Sequence, residues 1–295
     1  MGSQGLTDSE MVLILDFGSQ YTQLIARRVR ECGIYSEIYP FHLSAHEIEQ
    51  LSPRAIIFSG SPSSVGDANP PLPDPEVFSL GIPILGICYG LQIIAHNFHG
   101  QLDLGSAREY GNAPLNIIKE DEIFSGIESR TFQVWMSHGD RLDRLPENFE
   151  SIGSSAGSPY AVIRNKELKI YAVQFHPEVV HTIHGKQMLS NFLLKIAGCK
   201  GGWSPMSFIK SSIKNIRERL GSEKVICALS GGVDSTVLSV LLHRAVGDNS
   251  IPVLIDNGLM RDGEIEYIEK IFRDKFQIHI NVYDYASQFL SNLKG

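Results

Sequence analysis

The sequence predicts an α/β protein built of two doubly wound, mostly parallel-sheet domains, and three observations predict it. Short, continuous apolar runs alternate with amphipathic helical stretches, the rhythm of parallel strands covered on both faces. That rhythm halts at a Gly-, Ser- and Pro-rich segment near residue 200 and then restarts. The length, 295 residues, is that of about two domains at roughly 100–200 residues each.

The elements follow in order. Residues 1–10 are polar and expected to be disordered. An apolar run at 12–16 reads as a strand, 21–32 as a helix, 55–59 as a second strand, 82–87 as a third and 91–98 as a helix. Residues 59–75 are dense in Gly, Pro, Ser and Asp, which makes them an exposed loop of the length that is often functional. Residues 101–164 hold short strand-like pieces consistent with antiparallel additions to the sheet. In 181–198 the side chains of Met188, Leu189, Phe192, Leu193 and Ile196 recur at helical spacing and close the first domain, 11–198. Residues 199–206 read as the linker, and 207–295 as the second domain. This opens on a helix, passes through the strand 224–230, a glycine turn, a helix and the strand 251–258, and enters another helix.

Composition narrows the function. Lys and Arg total 26 against 33 Asp and Glu, a net charge of −7, so no global field draws nucleic acid and none is expected as a partner. No stretch approaches membrane-spanning length, and the start lacks the charge and apolar blocks of a signal peptide. Residue 6 is Leu where a myristoylation signal wants Ser or Thr, so neither membrane nor lipid anchor is expected. The four cysteines, Cys32, Cys88, Cys199 and Cys227, are scattered without a CxxC pair, as reduced thiols of a cytoplasmic protein would be.

Gly86-Ile87-Cys88-Tyr89-Gly90 follows a strand and precedes a helix, which is the thiol form of the nucleophile elbow. Flanking glycines allow a sharp turn, and the helix N-terminus favours a thiolate and offers N–H groups to an oxyanion. On this pattern alone Cys88 is either a nucleophile or an ordinary small core residue. Gln174-Phe175-His176-Pro177-Glu178 supplies a base, His176, and an acid two positions on that can fix its tautomer; otherwise it is a polar loop after a strand. His176, His181 and His184 lie close together, but their spacing fits no common zinc pattern and no cysteine accompanies them, so no metal site is expected. Asp16-Phe17-Gly18 spells a kinase motif without its HRD or glycine-rich companions.

The segments 86–92, 136–140 and 173–182, with 16–31, resemble those of class I glutamine amidotransferase domains. The resemblance implies that Cys88 attacks the side-chain amide of L-glutamine, with His176 as base and Glu178 as its partner, releasing ammonia through a thioester. It further implies an oxyanion hole from the Gly60 and Tyr89 N–H groups, and substrate contacts from Gln92 and the Ser137-His138 backbone. One departure stands out: the family has Ser-Gly-Gly-Pro where this chain has Ser59-Gly60-Ser61-Pro62. Proline at 62 favours an extended residue before it, so Ser61 is expected to be tolerated.

Ser230-Gly231-Gly232-Val233-Asp234-Ser235, with Thr236 after it, joins a strand to a helix and makes an anion site from backbone N–H groups. It lacks the spacing and lysine of a Walker A loop, and read locally it is also a capped glycine turn. It resembles the pyrophosphate loop of the N-type ATP pyrophosphatases. This resemblance implies binding of ATP with Mg²⁺ by Ser230, Gly231, Gly232, Val233, Asp234, Ser235 and Thr236. The turn at Asp256-Asn257-Gly258 is a weaker nucleotide candidate.

The order of the two sites and the linker 202–209 resemble the glutamine-hydrolysing GMP synthase family, in which ATP adenylates XMP and ammonia displaces AMP to give GMP. No tightly bound metal or organic cofactor is implied. Members of that family continue past the position of Gly295 into XMP-binding segments and a dimerisation domain, so residues 1–295 alone are expected not to make GMP. Two other readings stay open. One is another glutamine-dependent, ATP-using synthetase; a thiolating enzyme would want a cysteine pair, and only Cys227 lies in the second domain. The other is a non-catalytic glutamine- or nucleotide-binding regulatory module.

Overall fold

The structure, a computed structural model, describes residues 10–105 and 108–294. The expectation of disorder for 1–10 therefore falls, Glu10 aside, outside the described residues. The chain divides into two compact units at Ser204/Pro205. The helix of the second unit thus starts two residues inside the segment read as linker.

The first unit opens with strand β1 (Met11–Asp16), helix α1 (Thr22–Glu31), β2 (Tyr35–Pro40), α2 (Ala45–Leu51) and β3 (Ala55–Phe58). The long loop and a 3-10 turn then lead to β4 (Ile84–Ile87) and α3 (Tyr89–Asn97). After these come β5 (Gln101–Asp103), β6 (Glu109–Ile117), β7 (Thr131–His138), β8 (Arg141–Arg144), β9 (Glu150–Ser154), β10 (Val162–Asn165) and β11 (Ile170–Val173). Helix α4 (Gly185–Asn191) closes the unit and continues through a wider π turn over Phe192–Ile196.

Nine strands form one sheet in the order β2-β1-β3-β4-β11-β10-β9-β6-β7, while β5 and β8 pair separately. The first five run parallel, and β10, β9, β6 and β7 extend the sheet in antiparallel pairs. Alternate residues of β1 enter different cores, as strand geometry requires. Val12 and Ile14 pack with Ile25 and Val29 of α1 and Leu189 of α4, whereas Leu13 and Leu15 pack with Ile48 of α2 and Leu91 of α3. Helices thus cover both faces of the parallel part, and its inner strands β1, β3 and β4 are apolar along their length because neither face meets water.

The second unit comprises α5 (Pro205–Leu220), β12 (Val225–Leu229), α6 (Val233–Val246), β13 (Ser250–Asp256), α7 (Glu264–Ile271), β14 (Asn281–Asp284) and α8 (Ala286–Asn292). Its three strands are parallel, in the order β12-β13-β14. Cys227, Leu229 and Leu254 build its core with Leu242, Ile268 and Phe272. The residues that alternate with them, including Ile226 and Ile255, stay exposed, so one face of this sheet is open. Among the described residues no helix is long and apolar enough to cross a membrane.

Candidate active site

Parallel strands place the chemistry at their carboxyl ends, where adjoining loops meet. Strand β4 ends at Ile87, opposite Val173 at the end of β11, and the Cys88 N–H donates to the Val173 carbonyl at 2.8 Å. One residue separates β4 from α3, and that residue is Cys88, at φ 55°, ψ −100°. A side chain at positive φ is strained, and here the strain is held by sheet and helix on either side. The glycines around it act differently from the sequence reading. Neither Gly86 nor Gly90 is among the glycines at positive φ. A Cβ on Gly86 would lie 2.5 Å from the Gly90 carbonyl oxygen, and one on Gly90 would lie 2.8 Å from that of Phe58. Both are needed for close packing of α3 on the sheet, while the turn itself is made by the cysteine.

Three residues past β11, the His176 N–H donates to the Trp135 carbonyl at 3.0 Å, and the Thr182 hydroxyl donates to the His176 carbonyl at 2.6 Å. The same Thr182 oxygen accepts from the Trp135 N–H, tying the histidine backbone to β7. His176 Nδ1 lies 2.7 Å from Glu178 Oε1, and both side chains are buried. Arg28 Nε holds the Glu178 carbonyl at 2.8 Å. Burial opposes a charge on His176. The Glu178 carboxylate, the hydrogen bonds to Cys88 and Glu178, and the charge of Cys88 overcome it and push the imidazole up to about 10. Burial instead raises the thiols of Cys32, Cys199 (to about 11) and Cys227, which suits inert packing.

Cys88 opens onto a cleft of about 660 Å³ that also holds Gln92, Ser61, Ser137, His138 and His176. The Cys88 Sγ donates to the Ser137 carbonyl at 3.5 Å. Gly60 borders the thiol, for a Cβ built on it would stand 3.2 Å from His176 Cε1 and 3.8 Å from Cys88 Cβ. Tyr89 is the first residue of α3, so its N–H has no acceptor within the helix. Gln92 is buried, yet its Oε1 has no hydrogen-bond partner among the described residues. Ser61 is not among the non-glycine residues at positive φ, so the backbone takes serine without strain there. His138 is buried behind the cleft, its pKa lowered by that burial against the pull of Glu109. His181 and His184 pack on Trp135 and Phe132 at centroid distances of 4.6 and 5.0 Å.

Sequence reasoning missed three supports: Tyr21, whose ring meets that of His176 edge-on at 5.0 Å, Thr182 and Arg28. Nothing in their spacing marks them; only the fold brings them to His176.

In the second unit, β12 ends at Leu229 and α6 begins at Val233. Ser230 Oγ lies 3.1 Å from Ser235 Oγ, and the Ser235 and Thr236 hydroxyls donate to the Gly232 carbonyl. Gly231 sits at φ 79°, and a Cβ there would meet Ile268 at 2.8 Å. No side chain caps α6, so the first-turn N–H groups of Val233, Asp234 and Ser235 face outward beside the exposed Asp234 carboxylate. At the next strand end the Asp256 and Asn257 side chains close the turn by accepting from the Gly258 and Leu259 N–H groups.

A doubly wound sheet with a cysteine elbow facing a buried histidine–glutamate pair defines a glutamine amidotransferase of class I. The chain belongs to that family: the model described as glutamine amidotransferase class-I matches residues 13–196. A second model, described as NAD synthase, matches residues 206–291. The GMP synthase (glutamine-hydrolyzing) of Bartonella henselae is 48% identical over 292 residues, covering 98% of this chain and 56% of that protein. The protein of the same name from Aquifex aeolicus is 51% identical over 284 residues, covering 96% of this chain and 55% of that one. The chain therefore spans about half the length of these relatives. Among solved structures, a protein from Thermoplasma acidophilum described as part of a GMP synthase aligns with a TM-score of 0.56 at 29% identity, covering 64% of this chain and 94% of that one.

Proposed function

We propose that the first unit hydrolyses the side-chain amide of L-glutamine and that the ammonia serves an ATP-dependent amination of XMP to GMP. The observation that carries the first step is the buried His176–Glu178 contact of 2.7 Å beside a cysteine held at positive φ. With Nδ1 engaged by Glu178, Nε2 is left for the thiol, and an imidazole raised to about 10 takes its proton at neutral pH. The thiolate attacks the amide carbon, and the Tyr89 and Gly60 N–H groups take the oxyanion. His176 returns the proton to the leaving nitrogen, ammonia departs, and water activated by His176 cleaves the thioester to glutamate. Gln92 and the Ser137-His138 backbone hold the substrate.

In the second unit the uncapped start of α6 suits the phosphates of ATP, presented as its Mg²⁺ complex. Asp234 and the Ser230 and Ser235 hydroxyls supply oxygen for the metal and donors for the phosphates, with Gly231, Gly232, Val233 and Thr236 shaping the loop. The names of the relatives support glutamine as the source of ammonia and GMP as the product, and XMP as the acceptor is what the family resemblance implies. The buried thiols with raised pKa values suit a reducing compartment, and the cytoplasm is the site proposed.

The test is peptide mass spectrometry after exposure to 6-diazo-5-oxonorleucine, a glutamine-like diazoketone. Labelling confined to Cys88 and lost in Cys88→Ala is the expected result. Absence of labelling, with Cys88 still open to iodoacetamide, would exclude an assembled glutamine pocket.

A further inference from the structure

Resting on the glutaminase reading, we propose that Tyr21 is a positioning residue for His176: the face of its ring receives the edge of the imidazolium and so holds the base charged beside Cys88. The two rings meet edge to face, with centroids 5.0 Å apart and planes at 67°. Such a pair sets the edge of one ring against the face of the other. An imidazolium carries its positive charge outermost at its N–H and C–H edge, so the negative face of the tyrosine is the side that attracts it. Tyr21 lines the same cleft as Cys88. It belongs to neither packed core of the first unit, and among the described residues its hydroxyl makes no hydrogen bond. Core packing therefore gives no reason for an aromatic side chain at this position, whereas His176 does.

The turn that carries Tyr21 is built for placement, and this gives the Asp16-Phe17-Gly18 motif its role. Asp16 Oδ1 accepts from the Gly18 N–H at 2.9 Å and from the Thr22 hydroxyl at 2.7 Å, tying the end of β1 to the first residue of α1. Gly18 passes at φ 93°, which glycine takes without a steric cost. Phe17 is buried against Phe41, Phe58 and Tyr89, and its N–H donates to Ser59 Oγ at 3.0 Å. Ser19 Oγ accepts from the Tyr21 N–H at 3.1 Å, and the Tyr21 carbonyl accepts from the Ile25 N–H at 2.9 Å. With its backbone held on both sides, Tyr21 presents its ring to His176. The other groups that face the imidazole are Glu178 on Nδ1, Cys88 from the elbow, and His138, which the charge of His176 opposes. Arg28, also on α1, reaches the Glu178 carbonyl. A change at Tyr21 removes none of these, so its effect on His176 can be read by itself.

The experiment titrates the His176 ring by NMR in the whole chain, its resonances assigned by their loss in His176→Asn, and follows Cys88 labelling by 6-diazo-5-oxonorleucine against pH and concentration. Tyr21→Leu removes the aromatic face and should lower the His176 midpoint from about 10 by about 0.7–1.5 pH units, the range for a cation over an aromatic ring from exposed to desolvated. Tyr21→Phe keeps the face and should stay within about 0.3 of wild type. A polyfluorinated phenylalanine at position 21 keeps the shape but weakens the negative face, so it should follow Tyr21→Leu and serves where that variant folds poorly. In labelling, the imidazolium gives its proton to the diazo carbon, the Cys88 sulfur bonds to that carbon, and nitrogen gas leaves with the carbon–nitrogen pair. The alkaline fall of the labelling rate should therefore move with the His176 midpoint. The half-saturating concentration should change less than about twofold, since the ring acts on the base and not on the reagent. An unmoved midpoint in the fluorinated chain, an equal fall in Tyr21→Phe, or weaker half-saturation with the midpoint unmoved would overturn the assignment. Wild-type chain whose Cys88 reacts with iodoacetamide but not with the diazoketone would instead overturn the glutaminase reading, and this inference with it.

Discussion

At the scale of single residues, the site depends on what surrounds each group more than on which group it is. Cys88 shares its element type with no other cysteine: it alone occupies a strand-to-helix elbow at positive φ. His176 is kept charged by Glu178, so Glu178→Gln should bring its pKa down from about 10 toward the ordinary 6.5, read by NMR titration of the ring. The same change should lower glutamine hydrolysis by about a hundredfold or more, as loss of an orienting acid does. A folded-state pKa raised above the unfolded value stabilises the protein fully below pH 6.5, and this contribution fades as pH rises through about 10. The melting-temperature gap between wild type and Glu178→Gln should therefore be wider at pH 6.5 than at pH 8 and close as pH rises through about 10.

At the scale of elements, the elbow works because β4, α3 and β3 approach closely enough to exclude a methyl group. Gly86→Ala should cost about 3 kcal/mol, at the upper end of overpacking, since the new Cβ meets backbone rather than a movable side chain. Denaturant unfolding checks this, and full stability in the variant would contradict it. Element order was legible wherever apolar runs were continuous, as in β1, β3 and β4. The pair β2 and α2 was not read, because β2 is an edge strand of mixed polarity and its neighbour is short. A signal for α2 was present in the capping box of Ser44 and Glu47. The last helix of the first unit begins at Gly185 rather than near 181, since Gly185 packs against the Pro177 backbone and the residues before it serve His176.

At the scale of the molecule, the two units differ in how well they bury themselves. The first has packed cores on both faces of its main sheet, whereas the second has one small core and an open face bearing Ile226, Ile255 and Tyr283. Protection against exchange follows burial and packing density. Hydrogen-exchange mass spectrometry should find the amides of β12, β13 and β14 exchanging at least about tenfold faster than those of β1, β3 and β4. Equal protection would mean that the open face is covered in solution.

The sequence by itself determined the α/β class, a restart of the fold, read at residue 207 where the structure has 205, and the two motifs, since strand periodicity and the glycine spacing of a turn are local properties. It also placed Cys88, His176 and Glu178 in one candidate site, although 88 residues separate the cysteine from the histidine. Only the tertiary structure decided how they are held. Parallel pairing of β4 with β11 brings the two strand ends together, and contacts from β7, α1 and the loop before α4 fix the imidazole.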